Sequence, residues 1–146
     1  MAVIYRPLNT LKPVCPDVWI VDGPVIRAST RMTVLRVDGD LLIHSPTPPV
    51  DSLRSEVLAI GRPRWIVGPS RSHYWWISEW HAAFAEAEVF LASGITQQAR
   101  ARIDFPHKLL PRAGGYSWDC AIDTVAVASG AFTEIEFFHR PAAAWC

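Results

Sequence analysis

The chain has 146 residues, half of them hydrophobic and 19% charged, with seven Trp and six Phe. This composition excludes a disordered segment and suits one domain with its own core. Fourteen basic and fourteen acidic residues cancel to a formal net charge of zero, with no basic run to supply the footprint of a nucleic-acid binder. No apolar run approaches the ~20 residues of a membrane span. The start, MAVIYRPLNTLKP, lacks the charged-then-apolar order of a signal peptide. A cytoplasmic protein with neither a nucleic-acid nor a membrane partner is therefore expected.

Strand signals come first. Val18–Val21 is a β-branched and aromatic run closed by Asp22-Gly23-Pro24. Arg31–Val37 and Leu41–His44 flank Asp38-Gly39-Asp40, and an Asp-Gly turn between two such runs is a strong hairpin signal. The opening third is thus an antiparallel meander. Ser45-Pro46-Thr47-Pro48-Pro49 is a rigid loop that cannot join a central strand. Val50, Leu53, Val57 and Leu58 then recur at helical spacing, with Asp51 or Ser52 as a cap and Gly61 beyond the end.

Trp65–Val67 is the next strand. Ile77, Trp80 and Phe84 give a second helix its apolar face, and Val89–Ala92 is another strand. This alternation predicts βαβ units and a parallel sheet. Thr96–Arg102 reads as a short polar helix. Phe105–Arg112 holds two prolines, and Gly114-Gly115 marks a turn. Ala121–Val127 and Glu134–Phe138 read as strands about a Ser129-Gly130 turn. Cys15, Cys120 and Cys146 are odd in number and far apart, without CxxC spacing, so free thiols are expected.

Several segments in order carry a resemblance: Leu11–Val14, Trp19–Val25, Arg31–Val34, Ile43-His44-Ser45-Pro46, Glu79-Trp80 and Phe137-Phe138-His139-Arg140-Pro141. Together they resemble an uncharacterised domain-of-unknown-function family with a metallo-β-lactamase-like fold, over nearly the whole chain. The resemblance implies an α/β architecture, an αββα sandwich of two mixed sheets between helices. It treats residues 1–146 as a single domain, with 1–10 as an N-terminal extension and 141–146 as an irregular tail.

In the broader superfamily the strand equivalent to Trp65–Val67 ends in a His-x-His-x-Asp-His loop that binds metal. Here that loop is Gly68-Pro69-Ser70-Arg71-Ser72-His73-Tyr74. The family often shows Asn near Ser70 and a second His near Tyr74, and this chain has neither. The region of a later superfamily His ligand is Ala128–Phe132, without His. The Asp that follows the Leu41–His44 strand in many members is replaced by His44-Ser45-Pro46. Family members also continue past the His-Arg-Pro segment into another strand with an acidic residue. This chain ends in Ala142-Ala143-Ala144-Trp145-Cys146, so an incomplete C-terminal part is expected, with an exposed sheet edge that favours association with a second copy.

A catalytic zinc needs about three protein ligands. His44 and His73 lie at or just after strand C-termini and are expected to approach each other. His81 and His107 have no partner spacing, and His139 follows a strand and precedes Arg-Pro. The residues therefore assign no metal ligand and no cofactor, with weak or no stoichiometric zinc. His44 and His73 are the candidate catalytic residues, the latter with Glu79 or Asp51 as a nearby acid. Ser70, Ser72, Tyr74 and Trp75 are the candidate binding residues for a small molecule. Ser45, Ser70 and Ser72 are candidate nucleophiles by residue type, though none sits in Gly-x-Ser-x-Gly. The leading expectation is a divergent or non-catalytic member of the superfamily with a pocket near His44 and His73. The alternatives are a metal-dependent hydrolase of an ester, amide or phosphoester with atypical ligands, and a scaffold that completes its sheet with a partner chain.

Overall fold

A computed structural model describes residues 5–26, 29–130 and 132–140. Its first four strands are β1 (Lys12–Cys15), β2 (Val18–Asp22), β3 (Arg31–Val37) and β4 (Asp40–His44). They are joined as the expected antiparallel meander. Asp38 and Gly39 both take positive φ, 50° and 82°. That is the type I′ geometry whose twist matches the flanking strands. β1 was not anticipated, because Pro13 and Pro16 argue against a strand. Its place at the sheet edge makes proline tolerable. The buried Asp22 carboxylate ties three strands together: Lys12 Nζ lies 2.7 Å from it and the Arg31 guanidinium 2.8 Å.

The chain then alternates: α1 (Asp51–Ile60), β5 (Arg62–Gly68), α2 (Ile77–Ala83), β6 (Glu88–Ala92), α3 (Ile95–Ala99), a 3₁₀ turn at Arg100–Arg102, and β7 (Lys108–Leu110). β4 to β7 are parallel neighbours in chain order. Each crossover therefore steps the same way across the sheet. The right-handed rule for such connections then places all three helices on one face. Gly68 shows how closely they pack: a Cβ there would lie 2.7 Å from Ile77 Cδ1 of α2 and 3.1 Å from Ile95 Cδ1 of α3.

Two expectations for α1 need correction. Leu53 and Val57 are buried, but Leu58 is 58% exposed. One residue past Val57 is a further ~100° around the helix, outside the buried stripe. Neither Asp51 nor Ser52 caps the helix. Its N-cap position is Val50, with no side-chain cap, and Asp51 is already helical and paired with Arg54. In α2 the expectation holds for Ile77 and Trp80, while Phe84 is the half-buried C-cap residue just past the helix, its ring stacked on Trp80. Ile77 and Trp80 are fully buried, and Trp80 Nε1 donates to the Thr47 carbonyl at 2.6 Å, fastening the loop after β4 to this helix.

The opposite face of the sheet is covered by the last segment. β8 (Ile122–Ser129) and β9 (Phe132–His139) form a separate antiparallel hairpin. Before it, buried Trp118 packs edge-on against Trp65 of β5, at 5.5 Å between ring centroids, and against Phe90 of β6 at 4.8 Å. Its Nε1 donates to Thr124 Oγ1 of β8 at 2.8 Å. Phe137 of β9 meets His44 edge-on at 5.0 Å, and the Ile135 amide donates to the Pro69 carbonyl at 3.0 Å. The second sheet of the expected sandwich is present as this hairpin. On it, Val125, Val127 and Phe138 remain exposed. Cys15 is a free thiol as expected, whereas Cys120 is disulfide-bonded, against the free-thiol expectation. The expectation for the tail at 141–146 falls outside the described residues.

Trp80 and Leu58 provide a paired test of this packing. Trp80→Ala should cost about 3–5 kcal/mol, the range for deleting a large buried aromatic. Leu58→Ala should stay within about 0.5 kcal/mol of wild type, as exposed substitutions do. Chemical denaturation checks both. Equal effects would mean that the helices are rotated from the faces described.

Candidate functional site

The site forms where β4 and β5 end. In a parallel sheet all strand C-termini lie along one edge, and the loops that follow them meet there. β4 ends in His44, and Ser45 continues the pairing, its amide donating to the Val67 carbonyl of β5 at 2.9 Å. Ser45 then takes φ 56°. This left-handed conformation is sterically costly for a residue with a Cβ and is held here by the surrounding contacts. It turns the chain away from the sheet into Pro46.

The β5–α2 loop supplies the second half. Ser70 is buried and braces it: the His73 amide donates to the Ser70 carbonyl at 3.0 Å, and the Ser72 amide to Ser70 Oγ at 3.3 Å. The resulting turn brings His73 back toward β4. Its Nδ1 lies 2.8 Å from Ser45 Oγ. With the ring proton on Nε2, Nδ1 accepts from the Ser45 hydroxyl.

A cavity of about 370 Å³ opens at this contact. Ser45, Ser72, His73, Tyr74, Trp75 and Trp76 contribute to its wall. Tyr74 and Trp75 stack at 5.1 Å with planes 17° apart. Gln98 of α3, itself part of the lining, and Arg102 of the following 3₁₀ turn fix that wall. Gln98 Nε2 donates to the Arg71 carbonyl at 3.2 Å. The Arg102 guanidinium donates to the Trp75 carbonyl at 2.8 Å and lies 5.7 Å from the Trp75 ring centroid. Apolar walls with a few convergent polar atoms are what small-molecule sites share.

Of the residues expected from sequence, His73, Ser72, Tyr74 and Trp75 therefore meet at the cavity. Ser70 sits behind it as a buried brace. His44 lies beside it, under the Phe137 ring. Glu79 and Asp51 are not hydrogen-bonded to His73. Ser45 is the residue whose importance was hardest to foresee. By type it was one of three candidate serines, and its contact with His73 joins two loops 28 residues apart.

Burial pushes the His44 pKa down from 6.5 to about 4, and the neighbouring His73 charge adds to the shift, against an opposing backbone hydrogen bond. His44 is thus a neutral imidazole near neutral pH. His44 immediately precedes Ser45, whose hydroxyl meets His73, so the two histidines lie at one end of the sheet.

No protein-family model matches the chain, and no curated protein matches it. Solved structures do. The chain is similar to the DIM-1 metallo-β-lactamase with a TM-score of 0.58 at 15% identity, covering 81% of this chain and 58% of that one. To the same enzyme exposed to ceftazidime the TM-score is 0.53 at 11% identity, covering 70% and 51%. To a fragment described as diflavin flavoprotein A 5 from Nostoc sp. PCC 7120 it is 0.58 at 11% identity, covering 89% and 62%. The chain thus spans between 51% and 62% of the length of these structures. At such identities the likeness shows a metallo-β-lactamase-like fold.

That fold implies metal, and the residues here do not fit one. The β5–α2 loop offers Pro69 and Ser70 where imidazoles would be needed, and His73 Nδ1 is engaged by Ser45. Among the described residues no three His, Cys, Asp or Glu side chains converge as a ligand set. Nor is any described helix long and apolar enough to cross a membrane.

The depressed His44 pKa predicts a stability profile. As pH falls through 6.5 the unfolded chain binds a proton at position 44, and the folded chain resists until about 4. The stability involved is complete above 6.5, is lost through that window, and totals about 3 kcal/mol. Asp22 and Asp40 act lower. Burial alone would raise their carboxyls, but hydrogen bonds and charges from Lys12 and Arg31, and from Arg62 and Arg64, outweigh it. Both stay below 3.8, so their contribution falls away only beneath that pH. Denaturation midpoints across the window should decline in wild type and flatten in His44→Gln. A flat wild-type profile would show that His44 is solvated.

Proposed function

We propose that the chain is a divergent metallo-β-lactamase-like domain that binds a small organic molecule without metal. The ligand would carry a flat ring and a polar group. One observation carries this reading: the aromatic-walled cavity at the strand ends into which Ser45 and His73 project. Tyr74, buried and stacked on the half-buried Trp75, gives the cavity an apolar aromatic lining suited to a flat ring. Ser45, Ser72 and His73 supply hydrogen-bonding groups that orient a polar substituent. Arg102 and Gln98 hold the wall in place before a ligand arrives, which reduces the ordering cost of binding.

Anilinonaphthalene sulfonate, a fluorescent flat-ringed anion, tests this directly. One site per chain is expected, unchanged by EDTA and weakened about tenfold or more by Trp75→Ala, on the scale of an aromatic anchor. Elemental analysis of protein purified without added zinc should show less than stoichiometric metal. One tightly held metal per chain, with probe binding abolished by EDTA, would replace this reading with the metal-dependent hydrolase.

A second reading, self-association through the hairpin, is favoured by exposed Val125, Val127 and Phe138. Apolar surface gathered on one element favours covering by another copy. A sedimentation coefficient that rises with concentration, and ceases to do so in Phe138→Ser, supports it. A monomer throughout the micromolar range overturns it.

A further inference from the structure

We infer that Ser45 is a nucleophile with His73 as its general base, and that the cavity accepts carboxylic esters of phenols. The inference deepens the pocket reading and rests on it.

Three observations converge. The first is the contact: a serine hydroxyl and an imidazole nitrogen 2.8 Å apart at the wall of a cavity, the reach a general base requires. The second is how Ser45 is placed. It is 8% exposed, lies directly after the last residue of β4, and has φ 56°. Its amide is committed to β5 and Pro46 follows it, so the backbone cannot relax without breaking the strand end. A strained residue held at a strand end presents its side chain in one direction, which suits a nucleophile. The third is the wall itself. Tyr74 and Trp75 line the same cavity as the serine, and an aryl group would lie against that aromatic lining.

The reaction balances with water as the only co-reactant. Ser45 Oγ adds to the ester carbonyl carbon as its proton passes to His73 Nδ1. The tetrahedral adduct collapses, the bond to the phenolic oxygen breaks, and the phenol leaves with the proton from His73. Water then adds to the acyl-serine by the same route, releasing the carboxylic acid and restoring the hydroxyl. Among the described residues no carboxylate is hydrogen-bonded to His73, so the pair has no third group to orient the imidazole. This restricts it to leaving groups as good as phenols rather than amines. His44 nearby is neutral near neutral pH and adds no positive charge to oppose the imidazolium that His73 becomes.

The experiment uses p-nitrophenyl acetate and the full chain. A burst of up to one p-nitrophenolate per chain is expected, with an acetyl group on the peptide containing Ser45. Ser45→Gly removes the hydroxyl while glycine tolerates the positive φ. It should lower the burst rate about 10²-fold or more, as should His73→Gln, which keeps a hydrogen-bonding side chain but no base. Cooperative unfolding of each variant verifies its fold, and if neither folds the mapped acetyl site in wild type decides alone. Acetylation elsewhere, or none, overturns the inference. If anilinonaphthalene sulfonate still binds in that case, the nucleophile has failed and the pocket stands. If it does not, both have failed.

Discussion

Three successive crossovers that step the same way across the sheet, β4 to β5 to β6 to β7, constrain everything else in this molecule. Because such connections take one hand, their helices gather on one face. The other face, carrying Trp65 and Phe90, would meet water unless later chain returned to cover it. Trp118 and the β8–β9 hairpin do so. The layer order therefore follows from connectivity and from the need to bury aromatic surface that the helices cannot reach.

The same constraint builds the site. Parallel neighbours end along one edge, so the loops after β4 and β5 emerge side by side and their side chains can meet across 28 residues of sequence. In the folds that this chain resembles, that edge presents metal ligands. Here Pro69 and Ser70 leave a gap in the ligand set, and the remaining imidazole turns to a serine. The hairpin contributes by burying His44 against Phe137, which keeps that imidazole neutral near neutral pH. One histidine of the pair is thereby silenced as a charge while the other stays exposed at the cavity rim.

Fold and chemistry separate clearly in this protein. The chain matches solved metallo-β-lactamase-like structures at 15% and 11% identity over 81% and 89% of its length. Such similarity reports backbone architecture and says nothing of donor atoms. The proposed chemistry rests on a few side chains whose types differ from a metal site: a strained serine, an exposed imidazole and a row of aromatics pinned by Arg102 and Gln98.

Features that depend on local spacing were legible in the residues. Alternating apolar runs and the Asp38-Gly39 turn marked β2 to β4, because strand period and positive φ at glycine are local requirements. The three- and four-residue intervals of Ile77, Trp80 and Phe84 marked α2 and its buried face. The missing imidazoles of the β5–α2 loop were legible too, since they need only residue identities. The rest came from contacts between elements distant along the chain. β1 depended on an edge position that excuses its prolines, and Leu58 on where the α1 stripe ends. β7 is three residues long and pairs only because β6 lies beside it. The proposal of Ser45 over Ser70 and Ser72 depends on which hydroxyl reaches His73. That is a distance between two loops, set by the parallel pairing of β4 with β5, and no spacing along the chain encodes it.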